Sequence, residues 1–177
     1  MNGILDKLSP YGRLLLYTKS SMTDLLELYY DSQVKVNVVN QVTGHVPEKV
    51  QHLLSSKADF DSAGNVAVRE VDIYVAGNDR TPVLHAISLV YLDNLPAEAV
   101  QDLNDSQLPI GRVIDKYKLE TIRDILETGV AGSESLNSHF RSTSELLFFK
   151  KYSIIHRSKP IFLIIEFFPC QELVEIA

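Results

Sequence analysis

Two charged residues fall where the surrounding sequence leaves no polar face for them. Over residues 66–75 the odd positions are Ala67, Arg69, Val71, Ile73 and Val75, and the even positions include Glu70, Asp72 and Tyr74. The two-residue period of a strand therefore puts Arg69 on the apolar face. Residues 161–168 read Ile-Phe-Leu-Ile-Ile-Glu-Phe-Phe, apolar on both faces, so either pleat direction sends Glu166 into an apolar setting. Burying either charge alone is costly, and each needs the other, another partner or a bound ligand. A buried Arg69–Glu166 salt bridge and a ligand site account for the pattern equally well, since perturbed charges gather at functional sites. If a ligand is the answer, a guanidinium in an apolar cavity suits a small carboxylate, whose two oxygens match its fork.

The elements that must carry these residues follow from periodicity. Met22, Leu25, Leu26 and Tyr29 recur at three- and four-residue steps after Ser21, which predicts a serine-capped helix over 22–30. Val34, Val36 and Val38 alternate with Lys35 and Asn37 as a half-buried strand, and 44–65 reads as irregular. Runs rich in β-branched residues over 66–75 and 83–92 flank the turn formers Gly77, Asn78, Asp79 and Pro82, which predicts an antiparallel hairpin. A short helix over 97–103 follows. Leu119, Ile122, Ile125 and Leu126 share one face of a helix, with charged residues mostly opposite, so a second amphipathic helix is expected there. Residues 129–144 hold two glycines, five serines and a threonine, the composition of a mobile loop or lid. Strands over 146–155 and 161–168 complete the chain. Strands in hairpins with helices between them give an α+β fold with a single, mainly antiparallel sheet.

With 177 residues, 45% of them hydrophobic, the chain is expected to build one domain over 1–177. Its formal charge of -6 argues against nucleic acid or an anionic membrane as the main partner. No apolar run is long enough to cross a bilayer and no signal-peptide order opens the chain, so a cytoplasmic location is expected. A single cysteine, Cys170, excludes an internal disulfide. His45, His52, His85, His139 and His156 are dispersed without metal-ligand spacing, so no metal site is expected. Gly-rich phosphate loops are missing, so no nucleotide or other cofactor is expected either.

Val68-Arg69-Glu70-Val71, Pro109-Ile110-Gly111-Arg112 and Ile164-Ile165-Glu166-Phe167-Phe168-Pro169, with the Ser-Lys-Pro turn at 158–160, stand in an order and spacing that resembles the chorismate lyase family over roughly residues 30–169. That resemblance implies an α+β fold, shared with UTRA-like sensor domains, in which helices on one side of the sheet and closing flaps enclose a metal-free site. It implies that Arg69 binds the ring carboxylate of chorismate and that Glu166 meets the oxygen at the opposite end of the ring. Ile110 and Gly111 would cap the carboxylate end. The first flap departs from the family at Gln33, Val34 and Lys35, where Gln33 is the substrate-contact candidate. Lys150 or Lys151 could attract the second carboxylate, with Lys151 taken as the candidate.

The activity implied is elimination of pyruvate from chorismate to give 4-hydroxybenzoate, feeding a quinone or another aromatic product. Aromatisation drives the step, so positioning and electrostatics can supply much of the catalysis without a metal. Two alternatives stand beside it: a sensor domain of the same fold that binds small molecules without turnover, and a divergent lyase acting on a related cyclohexadiene carboxylate or giving another hydroxybenzoate. The oligomeric state is not legible.

Overall fold

The structure, a computed structural model, describes residues 5, 7–54, 64–77, 80–105, 108–132, 136, 139–141, 146–170 and 173–174. Two short helices open it: α1 (Pro10–Tyr17), capped by the Ser9 side chain, and α2 (Met22–Tyr30), whose cap Ser21 accepts from the Asp24 N–H. Strand β1 (Val34–Thr43) follows, then α3 (Glu48–Leu54), β2 (Val66–Val75) and β3 (Leu84–Tyr91). After a 3₁₀ turn at Leu92–Asn94 come α4 (Ala97–Asp105), α5 (Ile110–Lys116) and the strands β4 (Ile122–Gly132), β5 (Leu146–His156) and β6 (Lys159–Pro169). The six strands form one sheet in the order β1-β2-β3-β6-β5-β4, with every pairing antiparallel.

Both faces of this sheet are covered, which explains why β6 is apolar on each side. One face carries Ala67, Ile73, Leu84, Ala86, Phe162 and Ile164 and packs against Leu15, Leu26, Leu103 and Val113 of α1, α2, α4 and α5. The other face carries Val66, Val68, Leu89, Leu163 and Ile165 under Val46, Phe140 and the α3 residues Val50 and Leu53. The helices thus gather on one side as expected, with α3 the exception. That helix lies in the 44–65 stretch expected to be irregular, and the Pro47 carbonyl accepts from Val50 and Gln51 at its start. Residues 55–63 of the stretch lie outside the described residues.

The helix expected around residues 119–127 is instead β4, which pairs with β5 from Ile122↔Ile155 to Gly132↔Leu146. A bulge between Ile125 and Glu127 accounts for the misleading pattern. Arg123 and Ile125 face the first core, the extra residue Leu126 faces the second, and Val130 faces the first again. A strand whose pleat parity switches once leaves apolar residues at three- and four-residue steps, as a helix does. The ladder with β5 decides between the two.

The expected lid over 129–144 is corrected where its residues are described. Its first four residues finish β4, and Phe140, 1% exposed, packs in the core on the second face. Residues 133–135, 137–138 and 142–144 lie outside the described residues.

Candidate active site

A cavity lies between the first face of the sheet and a roof made by the start of α2 and the start of α5. Between its walls lie about 550 Å³, the open space at its mouth included. Val71, Ile73, Leu84, Ile154 and Ile164 make an apolar floor, and Arg69 and Glu166 stand within it. β2 and β6 are separated only by β3, and Glu166 is in line with Val71, so the two charged residues stand two strand spacings apart across the sheet and two residues apart along it, about 12 Å between backbones. Side chains reaching inward from those positions can meet opposite ends of a six-membered ring.

Arg69 is 2% exposed and is held from three sides. Its Nη1 donates to Gln41 Oε1 at 2.9 Å and to the Leu103 carbonyl, and its Nη2 donates to the Leu108 carbonyl at 3.1 Å. Leu103 lies in the last turn of α4, where unpaired carbonyls carry partial negative charge that favours a cation. Gln41 reaches Arg69 because β1 bulges between Val38 and Asn40. Val36 and Val38 oppose Ile73 and Val71, and the extra residue then moves the cavity-facing position from 40 to 41, opposite Arg69. Burial lowers the Arg69 pKa from its ordinary value, and the three acceptors offset the desolvation of a group that keeps its charge.

Glu166 is 4% exposed. Tyr152 donates its O–H to Glu166 Oε1 at 2.8 Å, and the Lys150 ammonium lies 3.3 Å from Oε2. Lys150 also donates to the Leu15 carbonyl at 2.9 Å and sits over the Tyr152 ring. The charge that Glu166 pairs with is therefore Lys150, directly across the β5–β6 ladder, and not Arg69. Oε2 makes no hydrogen bond despite the nearby ammonium, so a buried acceptor is left on a residue that lines the cavity. Burial, with the Glu166 carboxylate beside it, pushes the Tyr152 pKa well above that of an ordinary phenol. Tyr152 consequently remains a donor to Glu166 across the neutral range.

The other expected contacts divide. Ile110 and Gly111 line the roof at the start of α5. A Cβ on Gly111 would meet Ser21 Oγ at 2.9 Å, so the close approach of the two roof segments needs a glycine. Arg112 braces the same joint, donating to Asp24 Oδ1 at 3.1 Å and to Glu27 Oε2. Gln33 is not brought in: it is exposed between α2 and β1, its carbonyl accepting from the Ala76 N–H at 2.8 Å. Lys151 is not brought in either. It is on the opposite pleat from Lys150 and meets Glu127 at 3.4 Å.

Sequence reasoning passed over Tyr152, Gln41 and Arg123, and the last of these borders the cavity on β4. A parity argument on β5 finds Tyr152, since it shares a pleat with Lys150 opposite Glu166. Gln41 and Arg123 are displaced in register by the bulges, and no local signal marks those. Reasoning from spacing also set aside His85 and His139, which the fold brings together at Asp72 on the far face of the sheet.

The effector domain of PhnF from Mycobacterium smegmatis superposes with a TM-score of 0.61 at 10% identity, over 87% of this chain and 91% of that one. At that identity the likeness shows the fold alone. A provisionally named lyase of Methanocaldococcus jannaschii is 28% identical over 162 residues, covering 88% of this chain and 76% of its own length. The chorismate pyruvate-lyase of Mycobacterium tuberculosis is 25% identical over 171 residues, covering 93% of this chain and 82% of its own length. The profile of one family matches residues 16–176, and the chain belongs to it: the Rv2949c-like chorismate pyruvate-lyases.

Proposed function

We propose that the protein eliminates pyruvate from chorismate to give 4-hydroxybenzoate, with Arg69 and Glu166 as the ends of the site. The carrying observation is one apolar cavity bordered by both a rigidly held guanidinium and a buried carboxylate. Arg69 takes the ring carboxylate through its fork, and the backbone at Ile110 and Gly111 closes over that end. Glu166 receives the hydroxyl at the far end through Oε2, held in place by Tyr152 and Lys150.

Arg123 takes the place proposed from sequence for Lys151. It borders the cavity opposite Ile154, two residues along β4 from the position that pairs with Tyr152, on the side of Glu166. The enolpyruvyl ether is on the carbon next to the hydroxyl-bearing one, and its carboxylate would meet Arg123 there. In the reaction the C–H bond at the hydroxyl-bearing carbon breaks and its electron pair forms the new ring double bond. The ether C–O bond breaks in turn, and the departing enolpyruvate takes a proton to become pyruvate. The gain in aromaticity drives this, so the chain's contribution is orientation and charge placement in a water-poor cavity.

The test is to incubate the purified protein with chorismate and quantify 4-hydroxybenzoate and pyruvate together. Equimolar formation is expected. Arg69→Ala should raise KM by about 30-fold through loss of a buried charged contact, and Glu166→Ala should lower kcat by about 100-fold or more. Arg123→Ala should raise KM, whereas Lys151→Ala should leave it unchanged. Binding of chorismate without turnover would overturn the lyase reading in favour of a sensor, and the reverse split of KM and kcat would overturn the roles.

A further inference from the structure

On the face of the sheet opposite the cavity, Asp72, His85 and His139 converge although they are far apart in sequence. Asp72 Oδ1 is 2.8 Å from His85 Nδ1 and 2.6 Å from His139 Nε2, and the three donor atoms all lie within 4.8 Å of one another. Asp72 and His85 are 1% and 2% exposed. His139 is one-third exposed, so the group opens to solvent on that side. The His85 ring is placed by the edge of the His139 ring at 5.3 Å and by Phe167 at 6.2 Å.

The outer nitrogen of His85 is the telling feature. Nε2 is buried with no hydrogen-bond partner, and Glu70 Oε1 lies 3.3 Å away. A metal at Nδ1 leaves the ring proton on Nε2, where Glu70 is placed to accept it. That is the carboxylate–histidine–metal relay common in metalloproteins, in which the outer carboxylate fixes the tautomer and the ring orientation.

We propose that Asp72 Oδ1, His85 Nδ1 and His139 Nε2 bind one divalent transition-metal ion, with Zn²⁺ the best match. Two imidazoles and one carboxylate are zinc's donor preference, and three protein ligands leave a fourth position for water on the exposed side. Ligand atoms about 2.0–2.2 Å from a tetrahedral ion stand about 3.3 Å apart, so the Asp72–His85 and Asp72–His139 contacts at 2.8 and 2.6 Å would open by about half an ångström or a little more to admit it. The ion ties the Phe140 segment, whose anchor fills the second core, to the centre of β2. It lies across the sheet from the lyase cavity, and this inference does not depend on the reaction proposed there.

The test uses the full chain stripped with a chelator, titrated with ZnCl₂ against a chromophoric competitor, with Co²⁺ in a parallel sample as a spectroscopic probe. One ion per chain and the intense visible bands of four-coordinate Co²⁺ are expected, along with a rise in Tm. His139→Ala, at the exposed edge, should abolish stoichiometric binding, and Glu70→Gln should weaken it by about 10- to 100-fold. A variant lacking His45 and His52, which lie outside the group, should bind as the parent does. Absence of stoichiometric binding in the parent would overturn the proposal and leave Asp72, His85 and His139 as a hydrogen-bonded group. Binding unchanged in His139→Ala would place the ion elsewhere and overturn it equally. Thermal melts of each variant separate lost binding from lost folding.

Discussion

At the scale of single residues, the site is built by giving each buried charge partners that hold it without filling its ligand-facing side. Lys150 shows how much depends on this. Its ammonium and the Glu166 carboxylate are 2% and 5% exposed, so removing the cation strands the anion in an apolar setting. Lys150→Met should therefore cost about 3–5 kcal/mol, read as a lower urea midpoint with unchanged slope. Lys151→Met should cost less, because its partner Glu127 is about one-third exposed and can be solvated. Sequence reasoning legibly located Arg69 and Glu166, since a charge on an apolar face is visible in the alternation alone. Lys151 points away from the cavity because adjacent strand residues point to opposite faces, and parity relative to Glu166 is set by the cross-strand register.

At the scale of elements, two β-bulges and one tight helix-to-helix approach set the geometry. Gln41→Leu should remove the bond at 2.9 Å to Arg69 that the β1 bulge makes possible. The expected outcome is a rise in KM for chorismate with the fold retained, and an unchanged KM would deny that bond its role. Gly111→Ala places a methyl group against Ser21 Oγ. That oxygen caps α2, so yielding to the methyl loosens the cap, and a roof displaced by a few tenths of an ångström, several-fold weaker substrate binding and a small loss in Tm are expected. Neither bulge was legible: an inserted residue in β4 mimics helical spacing, and one in β1 ends the visible alternation at Val38, five residues before the strand ends.

At the scale of the whole molecule, a sheet covered on both faces buries titratable groups that an open sheet would leave in water. Tyr152 is the clearest case, and its raised pKa sets the sign of a pH effect. Below pH about 10 the phenol is protonated in both folded and unfolded chains and contributes no slope; above it the unfolded chain loses a proton that the folded chain keeps, so stability falls as pH rises. Alkaline titration followed by tyrosine absorbance should show one of the eight tyrosines ionising only as the protein unfolds, and Tyr152→Phe should remove that late step. No helix among the described residues is long and apolar enough to cross a membrane. What the sequence by itself determined was the α+β class, the hairpin of β2 and β3, the last two strands and the two charges facing the core, because all of these are encoded in local period and turn chemistry. The tertiary structure decided the rest: β4 is a strand because β5 offers it a ladder, Glu166 pairs with Lys150 because register places them opposite, and His85 and His139 meet at Asp72 because β2, β3 and the segment around Phe140 converge on one face. Those contacts join residues far apart in the chain, and no local pattern carries them.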